Sequence, residues 1–169
     1  MRRVRVAIVD DYPLYREGLR AVAEAHADLI EVVGEASDGY QALTLVRRKR
    51  PDVILMDIRM PRLDGIEATR LIKRMAPHVH VIGLSAYEDQ HLITELLEAG
   101  ADGFLPKSAP GEAIVAAIVA AFRGEGGQGG ERVPGDPSSL PEAVTEIACC
   151  QNHRGALSHD ADRLPHEGL

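Results

Sequence analysis

The stretch Val53-Ile-Leu-Met-Asp57-Ile-Arg-Met-Pro61 places an acidic residue directly after four consecutive apolar residues. An uninterrupted apolar run, unlike an alternating one, is typical of a strand that is buried on both faces, as the strands of a parallel sheet are. Because burying a charge is costly unless a partner compensates for it, we expect Asp57 to face a cationic group. The stretch therefore predicts a central strand with a charged site at its end.

Similar apolar runs recur along the chain, with stretches of helical spacing between them. The predicted strands cover residues 4–9, 30–33, 53–56, 79–84 and 103–105. Helices are predicted to start near Pro13, Asp38, Asp64 and Pro110, and Gly100 is predicted to end one. On the first helix, Tyr15, Leu19, Val22 and His26 share one face, which indicates contact with a core. Five β–α units with right-handed crossovers predict a doubly wound α/β domain over residues 1–123.

The composition changes at residue 124. Residues 124–130 form a glycine-rich linker, and three prolines follow within the next eleven residues. A capping pattern that begins at Ser139 favours one short helix at 140–150. The remainder, through Leu169, is polar and lacks periodicity. We expect 124–169 to be a mostly disordered tail.

Composition and charge exclude several classes of protein. The net charge of -7 argues against a non-specific nucleic-acid or membrane-surface binder. No apolar run reaches the ~18 residues that a spanning helix requires. No signal-peptide core follows the N-terminus, and Cys149 and Cys150 provide neither a disulfide framework nor a zinc site. These features favour a protein of the reducing cytoplasm.

Polar residues with complementary chemistry follow four of the predicted strands. Asp10 and Asp11 follow the first strand, Asp57 the third, Ser85 the fourth and Lys107 the fifth. Ligands of open α/β sheets bind beyond the carboxyl ends of the strands. Any one of these residues, taken alone, could be a helix cap, a turn residue or a solvated surface charge. Their common position at one edge of the sheet indicates a functional site.

The clustered acids suggest a specific chemistry. Three neighbouring carboxylates repel one another, and Mg²⁺, which prefers oxygen ligands, would relieve that repulsion. A carboxylate held beside such an ion can attack phosphorus and form an aspartyl phosphate, while an amine stabilises the phosphoryl oxygens. Asp57 is the candidate acceptor because it follows a rigid central strand.

Four motifs resemble the receiver domain of bacterial two-component response regulators, and are most similar to the NarL/FixJ-type subfamily. They are Val-Asp10-Asp11-Tyr-Pro-Leu, Leu-Met-Asp57-Ile-Arg-Met-Pro-Arg-Leu-Asp-Gly65, Leu-Ser85-Ala-Tyr-Glu and Gly-Ala-Asp-Gly-Phe104-Leu-Pro-Lys107. The resemblance covers residues 1–123. It implies a flavodoxin-like fold with strand order 2-1-3-4-5 and a signalling domain rather than an enzyme, although one that can catalyse its own phosphorylation and dephosphorylation.

The resemblance also implies roles for individual residues. Asp57 would be phosphorylated by a sensor histidine kinase. Asp11, Asp57 and the backbone carbonyl of Arg59 would bind Mg²⁺, with Asp10 assisting through water. Lys107 would contact the phosphoryl group.

Two further residues would form the switch that the family uses. Ser85 would bond the attached phosphoryl group, and the ring of Phe104 would turn into the vacated space. The face formed by the fourth helix, fifth strand and fifth helix would then change, and a homodimer is expected there. Phe104 can equally be a core residue.

The subfamily usually continues into a helix-turn-helix domain, and residues 124–169 lack that pattern. Three basic residues stand against eight acidic ones there, a net charge of -5 that does not support DNA binding. Two hypotheses account for this tail. Either the chain is a stand-alone receiver that acts by protein contact, or a shifted reading frame follows a truncated regulator.

Two other classes of function fit the motifs less well. A haloacid dehalogenase-type phosphatase with an aspartate nucleophile needs Asp-x-Asp after the first strand, where this chain has adjacent aspartates. A flavin mononucleotide binder needs a Ser/Thr/Gly phosphate loop at the same place, where this chain has Asp-Asp-Tyr-Pro.

Overall fold

A computed structural model describes residues 2–87 and 89–124 of the protein. These residues form alternating strands and helices, in the order β1 (Val4–Val9), α1 (Pro13–Ala25), β2 (Ile30–Ala36), α2 (Gly39–Lys49), β3 (Val53–Asp57), α3 (Gly65–Met75), β4 (His80–Ser85), α4 (Gln90–Glu98), β5 (Gly103–Pro106) and α5 (Gly111–Arg123). The strands form one parallel sheet in the order β2-β1-β3-β4-β5. The predicted doubly wound, flavodoxin-like fold is confirmed.

Helices cover both faces of the sheet. The side chains of β3 alternate between two hydrophobic clusters, since Ile54 and Met56 point to one face while Val53 and Leu55 point to the other. Helices α2, α3 and α4 contribute to the first cluster, and α1 and α5 to the second. Every residue of β3 is buried, which is why its sequence is uniformly apolar up to Asp57.

Strands β3 and β4 extend into the polar residues that the sequence placed after them. Asp57 pairs with Leu84, and Ser85 pairs with Pro106, in the parallel ladders. Backbone pairing therefore continues one residue past the apolar runs, and both polar residues are fixed by the sheet rather than carried on loops. Strand β2 likewise continues to Ala36, beyond the predicted residues 30–33.

Two of the predicted helix starts are capping residues. The side chain of Asp38 accepts a hydrogen bond from Gln41 N, and that of Asp64 accepts one from Glu67 N, both at 2.9 Å. These two caps satisfy backbone donors that the first helical turn leaves without partners. Pro13 is the first residue of α1 and Pro110 immediately precedes α5, and neither of these helices has a side-chain cap.

The N- and C-terminal ends of the described chain lie together at the edge of the sheet opposite the polar strand ends. The Arg2 guanidinium lies 5.2 Å from the centre of the Phe122 ring, near the end of α5. Apart from Gly124, the predicted linker and tail at 124–169, with the possible helix at 140–150, lie outside the described residues. Among the helices that are described, none has the length and apolar character needed to cross a membrane.

Gly65 determines how closely α3 approaches the end of β3. Its backbone N–H donates to the carbonyl oxygen of Ile58 at 2.8 Å, and a Cβ at this position would overlap the carbonyl oxygen of Asp57. Because the obstruction is backbone, no rotation of a side chain would relieve it. Only glycine allows α3 to start this close to Asp57.

We predict that Gly65→Ala lowers the free energy of unfolding by about 1–3 kcal/mol, the usual cost of an overpacked buried site. Urea unfolding measures the change. The matched control is Gly18→Ala on the exposed face of α1, where an added Cβ meets nothing within 4 Å. Removing that helical glycine should stabilise the protein by about 0.5–1 kcal/mol. Equal effects at both positions would contradict the proposed constraint.

Candidate functional site

The fold brings three carboxylates together at the carboxyl edge of the sheet. Asp10 and Asp11 follow β1, and Asp57 is the last residue of the neighbouring strand β3. One oxygen from each carboxylate lies within 4.8 Å of the other two. Asp10 and Asp57 are buried, with exposed fractions of 0% and 5%, whereas Asp11 is exposed. The cluster is thus open to solvent on one side.

Lys107 supplies the cationic partner that the burial of Asp57 requires. Its Nζ lies 2.5 Å from Oδ2 of Asp10 and 3.4 Å from Oδ1 of Asp57. The residue follows β5, two strands away from β3, and its backbone N–H donates to the Ser85 carbonyl at 2.8 Å. The side chain therefore extends across the end of β4 to reach the acids.

Asp10 is held in place from both its backbone and its side chain. Its Oδ1 accepts a hydrogen bond from Tyr12 N at 2.8 Å, and its carbonyl accepts one from the Arg16 guanidinium at 2.5 Å. Its Oδ2 pairs with the Lys107 ammonium. Each of the three oxygens of Asp10 therefore has a described partner.

Burial and mutual repulsion dominate the electrostatics of Asp57. Its removal from water and the charge of Asp10 raise the pKa of Asp57 to about 7, against the opposing effect of Lys107. One lysine does not offset three carboxylates. The donor set, which consists of hard carboxylate oxygens with an excess of negative charge, suits a divalent cation such as Mg²⁺.

The hydroxyl of Ser85 is bound to its own loop. Its Oγ donates to the carbonyl of Tyr87 at 2.9 Å and accepts from Tyr87 N at 3.1 Å. The Tyr87 ring is exposed and lies beside the Arg59 guanidinium, 5.6 Å from the ring centre. The loops after β3 and β4 are therefore in contact through these two side chains.

Phe104 lies in the interior rather than at the cluster. It is 8% exposed and belongs to the same hydrophobic cluster as Ile93 and Leu96 of α4. Phe104 is therefore a core residue in this structure, and its role in a switch stays a prediction.

Two neighbours of the site were not singled out from the sequence. Tyr15 was assigned to the core-facing side of α1, but Lys107 Nζ lies 4.7 Å from the centre of its ring. Arg16 bonds the carbonyl of Asp10 and also pairs with Glu35 at 3.2 Å. The only sequence signal for either residue is its place in the first two turns of a helix that starts at the acidic edge.

Comparison with known proteins assigns most of the described residues to one family. Residues 6–119 match the family described as the response regulator receiver domain. The transcriptional regulatory protein LiaR of Bacillus subtilis (strain 168) is 43% identical over 166 residues, which cover 98% of this chain and 71% of LiaR. The transcriptional regulatory protein DegU of Brevibacillus brevis is 38% identical over 122 residues, or 72% of this chain. The chain spans about half the length of DegU, 51%, and 56% of the length of YxjL from Bacillus subtilis.

Solved structures agree with this assignment. A two-component response regulator of the LuxR family from Aurantimonas sp. SI85-9A1 superposes with a TM-score of 0.69 at 30% identity, over 88% of this chain and 99% of that one. The response regulator domain of Thermotoga maritima CheB superposes with a TM-score of 0.63 at 33% identity, over 76% of this chain and 100% of that one.

The raised pKa of Asp57 predicts a pH-dependent stability in the absence of divalent metal. Between about pH 4 and pH 7 the folded protein holds a proton on Asp57 that the unfolded chain has released, so the free energy of unfolding falls as pH rises. Asp57→Asn removes this decrease. From pH 5 to pH 8, we therefore expect the free energy of unfolding of the variant to rise by about 1–3 kcal/mol relative to that of wild type. Urea unfolding in the presence of a chelator measures both.

The control is Asp28→Asn, because Asp28 is exposed and lies in the turn between α1 and β2 at the opposite edge of the sheet. Its effect should be the same at both pH values. An Asp57→Asn effect that is likewise independent of pH would show that the Asp57 carboxylate is not destabilised by its surroundings.

Proposed function

The chain belongs to the response regulator receiver domain family, and we propose that it accepts a phosphoryl group on Asp57 from a sensor histidine kinase. As a receiver domain of a response regulator, it is a component of two-component signalling, and domains of this family are signalling domains rather than enzymes in general. The observation that carries the proposal is the geometry of Asp57. It is a buried carboxylate at the rigid end of β3, with the Lys107 ammonium 3.4 Å from its Oδ1 and two further acids beside it.

The proposed step is a transfer between two nucleophiles. An Asp57 oxygen attacks phosphorus, the phosphorus–nitrogen bond to the kinase histidine breaks, and the nitrogen keeps the electron pair of that bond. Negative charge spreads over the phosphoryl oxygens during transfer. The Lys107 ammonium, 3.4 Å from Asp57 Oδ1, is placed to neutralise part of it. We propose that these groups also promote the hydrolysis that reverses the modification.

We propose that Asp10, Asp11, Asp57 and the backbone carbonyl of Arg59 hold Mg²⁺, with Asp10 acting through water. The closeness of the three carboxylates supports this set. When bound, the ion supplies positive charge to both the acceptor carboxylate and the phosphoryl oxygens. The side chains themselves fix the direction from which the donor approaches, which is the exposed side occupied by Asp11.

The proposed switch uses Ser85 and Phe104. To donate to a phosphoryl group, the Ser85 hydroxyl must give up the hydrogen bond that it donates to the Tyr87 carbonyl, while it can still accept from Tyr87 N. Phosphorylation would thereby remove one contact that holds the loop between β4 and α4. Since Phe104 shares a hydrophobic cluster with α4, a change in that loop has a route to the face formed by α4, β5 and α5.

The output that we propose is regulation of transcription, because LiaR and DegU are transcriptional regulatory proteins. The similarity to LiaR covers 98% of the chain and so extends beyond the receiver. The acidic character of 124–169 gives no support for DNA binding by that segment. We propose that the receiver acts by protein contact, through a homodimer in the cytoplasm.

We predict that wild type incubated with acetyl phosphate and Mg²⁺ gains one phosphoryl group, and that Asp57→Asn gains none because it lacks the acceptor oxygen. Intact mass spectrometry measures both. Asp28→Asn should be labelled like wild type, and Asp11→Asn should be labelled more slowly with weaker dependence on Mg²⁺. Labelling of Asp57→Asn at the wild-type rate would reject Asp57 as acceptor.

We also predict that a beryllofluoride phosphate mimic shifts wild type from monomer toward dimer, because the proposed switch alters the α4–β5–α5 face. Sedimentation analysis measures the mass in solution. Asp57→Asn, which cannot bind the mimic as a phosphoryl group, should keep one mass throughout. Identical masses for wild type with and without the mimic would argue against dimerisation as the output.

A further inference from the structure

We propose that Tyr15 is a positioning residue for the acceptor reaction, and that the face of its ring holds the Lys107 ammonium over Asp57. The inference deepens the proposed function and rests on it. Tyr15 lies on α1, at the third residue of that helix. It contacts Lys107 and acts through it.

The ring and the acids confine the ammonium of Lys107 between them. Nζ lies 4.7 Å from the centre of the Tyr15 ring, 2.5 Å from Asp10 Oδ2 and 3.4 Å from Asp57 Oδ1. A cation this close to an aromatic face is attracted by the ring's electron density. The Lys107 side chain is only 18% exposed, so water screens this attraction less than at a surface.

A second contact fixes the backbone of the same lysine. The Tyr15 hydroxyl lies 3.4 Å from the carbonyl oxygen of Lys107 and donates to it. One side chain thus touches both ends of Lys107, its main chain through the hydroxyl and its ammonium through the ring. Because the ring contact alone bears on the ammonium, the two contributions can be separated by substitution.

The Tyr15 ring is itself held in place by the hydrophobic core. Tyr15 packs, together with Val22, against the hydrophobic cluster that contains Leu19 of the same helix. A lysine side chain has four rotatable bonds and loses considerable conformational entropy when it is held in one position. A ring that is already fixed by the core reduces that loss at the moment of reaction.

The tyrosine keeps its proton in this environment. Burial and the nearby charges of Asp10 and Asp57 raise the pKa of Tyr15 to about 12. The phenol therefore stays neutral at any physiological pH and does not add a negative charge that would compete for Lys107. Its contribution is the neutral aromatic face.

Without the ring, only the attraction of Asp57 would oppose the closer contact of Lys107 with Asp10 among the described residues. At 2.5 Å against 3.4 Å, the ammonium already lies nearer to Asp10 than to the acceptor. We infer that the ring keeps the ammonium within reach of both acids and so of the incoming phosphoryl oxygens. Loss of the ring should slow phosphoryl transfer without abolishing it.

The experiment compares Tyr15→Phe, which keeps the ring and loses the hydroxyl, with Tyr15→Leu and Tyr15→Met, which lose the ring. The initial rate of labelling by acetyl phosphate with Mg²⁺ is measured by intact mass. We expect Tyr15→Phe to stay within about twofold of wild type, and both ring-less variants to fall about three- to tenfold, the range of one partly buried cation–π contact. The two ring-less variants replace volume differently, so one remains informative if the other does not fold.

A spectroscopic readout tests the placement independently of phosphorylation. The ε-methylene protons of Lys107, assigned by comparison with Lys107→Met, should be shifted upfield by the ring current in wild type and Tyr15→Phe. The shift should vanish in Tyr15→Leu. A double substitution adds a second test, because Tyr15→Leu should slow labelling no further when combined with Lys107→Met.

The outcomes separate the two proposals. Labelling of Asp57→Asn, or none of wild type, would overturn the proposed function, while the ring-current shift would still report where Lys107 lies. Folded Tyr15→Leu and Tyr15→Met that label at the wild-type rate would overturn the role of Tyr15 alone. An equal slowing by Tyr15→Leu in the presence and absence of Lys107 would also overturn it, because the effect would then be a general structural one.

Discussion

The contact between the Lys107 ammonium and the buried carboxylates of Asp10 and Asp57 is the interaction on which the site depends. A buried carboxylate without a cation is unstable in its charged form. The strand order β2-β1-β3-β4-β5 makes the contact possible only if the lysine crosses the end of β4. Its backbone bond to Ser85 sets the starting point of that crossing. The parallel sheet thus brings these charged groups together, and its rigid edge keeps them in contact.

The same edge contains a set of contacts that hold the free protein in one arrangement. The Ser85 hydroxyl is hydrogen-bonded to the backbone of Tyr87, and the Arg59 guanidinium lies against the exposed Tyr87 ring. A new group on Asp57 would compete with the Tyr87 carbonyl for the Ser85 hydroxyl. The proposed switch is therefore an exchange of hydrogen bonds between a loop and a ligand, and it needs no unfolding of either strand.

The residue pattern was sufficient to predict the buried parallel strands and the polar residues that meet at one edge of the sheet. Continuous apolar runs identify buried parallel strands, and parallel strands put the residues that follow them at a common edge, so Asp57 and Lys107 could be predicted to converge. The strand order itself came from the family resemblance and not from the spacing. Strand ends were placed short because backbone pairing continues through polar residues such as Ser85.

Contacts that depend on side-chain direction could not be predicted in the same way. The spacing of Tyr15 shows which face of α1 it occupies, but not that this face ends at Lys107. The ion pair between the buried Asp38 and the exposed Arg62 cannot be predicted for the same reason, since only the N-cap role of Asp38 is visible in the sequence. Helical periodicity predicts which face of a helix is buried, but not which residues of the neighbouring elements that face contacts.

The pairing of Arg2 with Phe122 has a consequence for how any signal leaves the domain. This contact lies at the amino-terminal edge of the sheet, near the end of α5. The acids lie at the carboxyl edge, a strand length of about 20 Å away. That separation exceeds the Debye length of about 8 Å at physiological ionic strength. Salt and water weaken the direct effect of a phosphoryl charge on a group at this distance. A change in the packing of the helices is therefore the more effective route from Asp57 to the end of α5.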